Sequence, residues 1–286
     1  MRAEAELPTL WITGAGGLIG HHFSRAAVAA ERWNVIPLTR ADLDLLDAAA
    51  VQERFRRERP AAVVHCAALS KTPACQADPR LARRCNVEVT RQLAGLAGDG
   101  RFVFFSTDLI FDGRGGNYAE NAPPNPLHVY GETKVAAEAA VRTHPRHLIV
   151  RTSLNYGTSP TGDRSFAEEM LLAVRAGKTL SLFADEFRSP LTVADTVATV
   201  NDLLAAGATG TYHVAGRERL SRWEIGELVA GQHPELRGKL RADSLRHYQG
   251  PPRAPDTSLD CGKTVRLLRR AIPGLRERLG PMTTAQ

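Results

Sequence analysis

Along the first half of the chain, short apolar runs rich in β-branched residues alternate with segments whose apolar positions recur at helical spacing. The runs Leu10 to Thr13, Val35 to Leu38, Ala62 to His65, Phe102 to Ser106 and Leu148 to Arg151 predict strands. Helix starts are marked between them. Asp47 stands before Ala-Ala-Ala-Val-Gln-Glu-Arg-Phe, and Asp78 precedes Pro79, an N-cap followed by a proline at the first helical position, with helical spacing over Leu81 to Leu96. Strand, helix and strand at this rhythm predict right-handed βαβ units and hence an α/β fold with a parallel sheet. Beyond about residue 155 the rhythm loosens, with strands expected at Leu180 to Phe183 and Thr211 to Val214 and helices after Thr192 and Ser221. This later part reads as a smaller lobe interleaved with the sheet. The proline-rich pieces Ala122 to Leu127 and Gly250 to Pro255 read as ordered loops.

A chain of 286 residues has room for two average domains of ~150 residues, or for one large α/β domain with an appendage. With 43% hydrophobic and 24% charged residues, disorder and fibrous repeats are excluded. The most apolar stretch, Ala61 to Leu69, is broken by His65 and falls far short of the ~20 residues a membrane span needs. Met1 to Pro8 carry two glutamates and lack the basic start and apolar block of a secretory leader, so a cytoplasmic protein with no membrane partner is expected. The net charge of +6 comes almost wholly from arginine, since only five of the 37 basic residues are lysines. Guanidinium groups suit phosphates. Here, however, they interleave with glutamates, as in Glu53 to Arg59, which reads as a solvated helix face; no nucleic-acid partner is expected, and an anionic small molecule accounts for a basic cleft equally well. Cys66, Cys75, Cys85 and Cys261 form no C-x-x-C pair and read as reduced thiols, and no metal site is legible.

Two constellations carry chemistry. Thr13-Gly14-Ala15-Gly16-Gly17-Leu18-Ile19-Gly20 lies directly between the first strand and its helix. Glycines at 14, 17 and 20 permit a tight turn, close approach of a pyrophosphate and close packing of helix on strand, so Gly14, Gly17, Leu18, Ile19 and Gly20 are expected at a dinucleotide cofactor. After the second strand stands Arg40, where an acid would hold a ribose 2′-hydroxyl; an arginine there accommodates a 2′-phosphate and favours NADPH, while Asp42 and Asp44 keep NADH open. The second constellation is Ser106-Thr107-Asp108 at a strand end together with Tyr130-Gly131-Glu132-Thr133-Lys134. Tyr130 and Lys134, four apart, share one helix face. A free tyrosine, with a pKa of about 10, exchanges protons poorly at neutrality. Lys134 and an oxidised nicotinamide would supply the positive field that lowers it, and the Thr107 hydroxyl would bind the substrate oxygen. His21 and His22 at the start of the first helix point to different faces, Trp223 reads as a core anchor and Cys66 as a small hydrophobe.

Taken in order, TGAGGLIG, TRADLDLLD, VVHCAALSK, the Asn86 segment, FFSTDLIFDG, NPLHVYGETK, LIVRTS, SPLTVADT, GTYHVAG and RAPDTSLD resemble the dTDP-4-dehydrorhamnose reductase family of the extended short-chain dehydrogenase/reductase superfamily. The resemblance covers nearly the whole chain. It implies a Rossmann-type doubly wound sheet over residues 1–155, with segments returning from the later chain, and a substrate-binding lobe made mainly of residues 156–286. It further implies Thr107, Tyr130 and Lys134 as the catalytic trio, Asp44 and Leu45 near the adenine, and Ala67, Ala68, Ser70 and Asn86 along the cofactor. For a nucleotide-diphosphate sugar it implies Thr107 and Asp108 at the sugar and Arg188 and Arg253 near the diphosphate. Leu154 stands where the family commonly has tryptophan against the sugar, and Asp185 to Pro190 differs from its usual DQ-x-G-x-P-T. The implied activity is NADPH-dependent reduction of dTDP-4-dehydro-L-rhamnose to dTDP-L-rhamnose. Alternatives are another nucleotide-sugar ketoreductase or an epimerase, and, outside catalysis, a dinucleotide-binding regulatory subunit like the superfamily's relative of methionine adenosyltransferase. Oligomeric state is not legible, and a homodimer is allowed.

Overall fold

The computed structural model describes residues 6–280, so most of the acidic start read above, residues 1–5, lies outside the described residues. Six parallel strands form the central sheet: β1 (Thr9–Thr13), β2 (Asn34–Leu38), β3 (Ala62–His65), β4 (Arg101–Thr107), β5 (His147–Thr152) and, returning from late in the chain, β10 (Gly210–Val214). They lie in the order β2-β1-β3-β4-β5-β10. All five pairings are parallel. Because side chains alternate across a strand, each strand feeds two cores. Leu10, Ile12, Val103, Phe105, Leu148 and Val150 pack on one face, where Phe23 of α1 (Leu18–Ala29) and Val197 and Val200 of α8 (Val193–Ala205) complete the cluster. Trp11, Val63, Phe102, Phe104 and Ile149 pack on the other, against Phe55 of α2 (Ala48–Glu58), Leu93 of α5 (Val89–Ala97) and Val141 of α6 (Val129–Val141). This is the doubly wound arrangement.

The helix starts follow the sequence signals. Asp47 accepts the Ala50 N–H and Asp78 the Leu81 N–H, Thr192 caps α8, and Ser221 with Glu224 forms a capping box on α9 (Arg222–Gln232). One expectation fails. The stretch from Leu81 to Leu96 is not one continuous α-helix: α3 (Thr72–Ala77) and α4 (Pro79–Arg83) lead into a π-helical turn over Arg84–Glu88 before α5. Asn86 lies within this turn, and its inward side chain bonds the backbone of Leu69.

Beyond β5 come β6 (Asn155–Tyr156), α7 (Phe166–Arg175), β7 (Leu180–Phe183), β8 (Phe187–Arg188) and β9 (Leu191–Thr192). After β10 follow β11 (Leu220–Ser221), α9 and β12 (Leu240–Asp243). Their own core joins Phe166, Met170, Leu182, Ile225, Leu228 and Val229, with Trp223 and Leu154 packed partly buried against it. Among the described residues no helix is long and apolar enough to cross a membrane, and no cluster of His, Cys, Asp and Glu has the makings of a metal site.

Candidate active site

The C-terminal ends of β1 to β5 open into a groove of about 760 Å³, walled on the far side by Thr161, Arg164, Ser165, Phe166 and Arg188. It lies at the point where strand order reverses about β1, the usual ligand crevice of a doubly wound sheet.

One half of the groove fits a dinucleotide. Gly14 has φ +70°, and a Cβ there would lie 2.6 Å from the Ala67 nitrogen, so the turn after β1 tolerates only glycine. At Gly20 a Cβ would come within 2.3 Å of the Gly14 carbonyl oxygen. Gly17 caps α1 without a side-chain bond, and no acid sits in the first turn. The helix therefore presents unopposed N–H groups and the positive end of its dipole to the groove, where a pyrophosphate fits. Leu18, Ile19, Arg40, Asp44, Leu45, Ala67, Ala68 and Ser70 all line the same wall. Asp42 is occupied elsewhere, its Oδ2 accepting from the Thr39 N–H at 2.9 Å and hydroxyl at 2.6 Å.

Thr107, Tyr130 and Lys134 meet deeper in the same groove. Thr107 ends β4, while Tyr130 and Lys134 lie on α6, and all three are buried. Burial lowers the Lys134 pKa to about 8, with Glu138, Cys66 and Cys75 opposing; its Nζ lies 4.0 Å from the Phe104 ring centre. Burial dominates and raises Tyr130 well above its ordinary value, Asp108 and Cys75 add to the rise, and the opposing influence is a hydrogen bond with Thr107.

Asn86 lies behind the groove wall, 1% exposed, with Oδ1 accepting from the N–H of the wall residue Leu69 at 2.8 Å and Nδ2 donating to Leu69 O at 3.0 Å and Thr133 Oγ1 at 2.9 Å. It belongs to a buried chain of hydrogen bonds. Thr133 donates to Tyr130 O, and Thr90 donates to Asn86 O, so Thr90 Oγ1 accepts from His65 Nε2, and His65 Nδ1 in turn accepts from Thr13. Burial keeps His65 neutral, with its pKa lowered to about 3. The chain ties the end of β1, below the glycine turn, to the helix bearing Tyr130.

At the sugar end, Asp108, Leu154 and Arg188 line the groove together. Arg188 does not offer its guanidinium freely to a diphosphate: Nη1 donates to Asp108 Oδ2 (3.2 Å) and Thr257 Oγ1 (2.7 Å), Nη2 to Glu186 Oε1 (3.0 Å), and only Nε is without a partner. Arg253 lies outside the groove wall and forks onto Glu186, with Nε to Oε2 2.7 Å and Nη2 to Oε1 3.0 Å. Both arginines serve the same carboxylate: Glu186 is fully buried and needs neutralising.

Sequence reading missed Ser153, Thr257, Glu186 and His128. Ser153 Oγ donates to Asp108 Oδ2 at 2.6 Å, and Thr257 Oγ1 reaches the same oxygen at 3.1 Å from 149 residues away in sequence. No local spacing announces such contacts. The departure at Glu186 from the family's glutamine was the one available signal.

The family profile described as RmlD substrate binding domain matches residues 8–285. The chain is 31% identical over 265 residues to the probable low-salt glycan biosynthesis reductase Agl14 of Haloferax volcanii, covering 85% of this chain and 88% of that protein. It is 30% identical over 291 residues to methionine adenosyltransferase 2 subunit beta of Xenopus laevis, covering 94% and 86%. A crystal structure of dTDP-4-dehydrorhamnose reductase from Bacillus anthracis in complex with NADP superimposes with a TM-score of 0.87 at 26% identity, over 97% of this chain and 99% of that one. Sheet order, glycine turn and profile agree, and the chain belongs to the dTDP-4-dehydrorhamnose reductase family of extended short-chain dehydrogenases/reductases.

Proposed function

We propose that the protein is an NADPH-dependent reductase of the 4-keto group of a nucleotide-diphosphate 6-deoxyhexose, with dTDP-4-dehydro-L-rhamnose as substrate. The observation that carries this reading is the meeting of Thr107, Tyr130 and Lys134 in one groove with the glycine turn. When bound, the reduced nicotinamide supplies a hydride to the ketone carbon. Gly14, Gly17, Leu18, Ile19 and Gly20 would hold its pyrophosphate, Arg40 a 2′-phosphate, and Asp44, Leu45, Ala67, Ala68 and Ser70 the remainder. Tyr130, kept protonated by burial, donates its proton to the oxygen that becomes the alcohol. Lys134, mostly cationic at neutral pH with its pKa at about 8, stabilises the tyrosinate left behind, and the Thr107 hydroxyl orients the carbonyl. Asp108, Ser153 and Leu154 face the sugar.

The relationship to methionine adenosyltransferase 2 subunit beta supports a second reading, a dinucleotide-binding regulatory subunit. Turnover of NADPH against dTDP- and UDP-linked 4-ketohexoses separates the two. Reduction of dTDP-4-dehydrorhamnose, lost by at least about 100-fold in Tyr130→Phe with NADPH affinity unchanged, is the expected result. NADPH binding with no turnover of any sugar would favour the regulatory reading instead.

A further inference from the structure

His128 is the N-cap of α6, and the cap is unusual in using an imidazole. Its Nδ1 accepts the Gly131 N–H at 3.2 Å, and its ring lies nearly parallel to that of Tyr130, 26° between planes and 6.3 Å between centres. Tyr130 is thus in the first turn of its helix, where fraying begins. That turn is seated closely, since a Cβ at Gly131 would stand 2.4 Å from Leu109 O and 2.7 Å from Pro126 Cβ.

We propose that His128 is a positioning residue for Tyr130, that only its neutral form caps the helix, and that loss of this cap on protonation sets the acid limb of the turnover profile. The proposal rests on the reductase reading above. An imidazolium has no lone pair for the Gly131 N–H and places a cation at the positive end of the helix dipole. The groups facing the ring act in the same sense on balance. Burial comes first in lowering its pKa; Arg188 from β8 and Arg253 from the loop before Ala254 also lower it, while its own backbone hydrogen bond and Glu132 of α6 oppose. The imidazole is therefore neutral at pH 7 and charges only on acidification below its ordinary value of 6.5.

The test is the kcat profile from pH 5 to 8 at saturating NADPH and sugar for wild type, His128→Asn and His128→Ala, with 15N NMR of the Gly131 amide. Asparagine caps without titrating. Expected are an acid limb in the wild type, His128→Asn within about threefold of wild-type kcat at pH 7.5 and without that limb, and His128→Ala reduced about 5- to 20-fold in kcat with the NADPH KM unchanged, in line with the loss of an N-cap. In the wild type the Gly131 amide should titrate with the His128 ring. Retention of the acid limb in His128→Asn, or wild-type kcat in His128→Ala, would overturn the proposal. Should the wild type reduce no sugar at all, the reductase reading fails, and a Gly131 amide indifferent to His128 protonation then overturns the cap independently.

Discussion

Arg188 and Asp108 form an ion pair on the floor of the groove, Nη1 to Oδ2 3.2 Å, with side chains only 8% and 5% exposed. The Arg188 guanidinium thus stands against the carboxylate next to Thr107. A second carboxylate, Glu186, is bonded to the same guanidinium. Burial works to raise the Glu186 pKa, but the hydrogen bond from Arg253 and the charges of Arg188 and Arg222 hold it below the ordinary carboxylate range. Removing one member of a buried pair leaves an uncompensated charge, which costs about 3 to 5 kcal/mol. Arg188→Ala should accordingly lower the urea midpoint strongly at neutral pH. An unchanged midpoint would show that the carboxylates find solvent or another partner.

What the sequence made legible was what is local. Strand runs, the glycine turn, and the caps at Asp47, Asp78, Thr192 and Ser221 each depend on a few neighbouring residues, and each stands where expected. The Tyr130/Lys134 pair was legible for the same reason, being one helical turn apart. Asn86 shows the limit. Its polar side chain in a helical pattern announced some special role, but whether it faced the groove or the interior depended on Leu69 and Thr133, which chain topology alone brings to it. The ion pairs of Arg188 and Arg253 show the same limit, because their shared partner Glu186 is a neighbour in sequence to only one of them.

Arg40 is exposed and lines the groove beyond β2, while Asp42 is consumed by Thr39. Only NADPH offers a 2′-phosphate to this guanidinium, a charge-assisted contact worth about 1.5 to 3 kcal/mol. Arg40→Ala should thus weaken NADPH roughly 10- to 150-fold and leave NADH nearly unaffected. Fluorescence titration of both cofactors checks this, and equal losses would reduce Arg40 to a surface residue.

Two buried histidines make stability acid-sensitive. His65 is lowered to about 3 and His213 to about 4, burial being the first cause in both, with the Lys134 and Arg151 charges next. Between the unfolded value of about 6.5 and these folded values, the unfolded chain binds more protons. Stability therefore falls as pH drops from about 6.5 towards 4, each histidine contributing a slope approaching 1.4 kcal/mol per pH unit, and is unaffected by either ring above pH 7. Urea midpoints at pH 7.5, 6 and 5 should decline in the wild type and decline less in His65→Asn or His213→Gln, whatever these variants lose at neutrality. Parallel curves would assign the acid sensitivity to other groups.

Leu154 and Arg188 line the same groove and are joined through Ser153, whose hydroxyl donates to Asp108 and accepts the Ser189 N–H at 3.3 Å. Leu154 packs partly buried against the cluster that includes Phe166, and a packed site takes in an added ring only by displacing its neighbours. Adding the ring should then crowd the sugar: Leu154→Trp is expected to raise the KM for the keto-sugar, by about 5- to 150-fold if overpacking costs ~1 to 3 kcal/mol. NADPH affinity should hold, because the glycine turn is at the other end of the groove. If Leu154→Trp instead lowered the KM, the ring would be adding its stacking energy of about 0.5 to 1.5 kcal/mol to an unobstructed sugar, and the groove would have room for it.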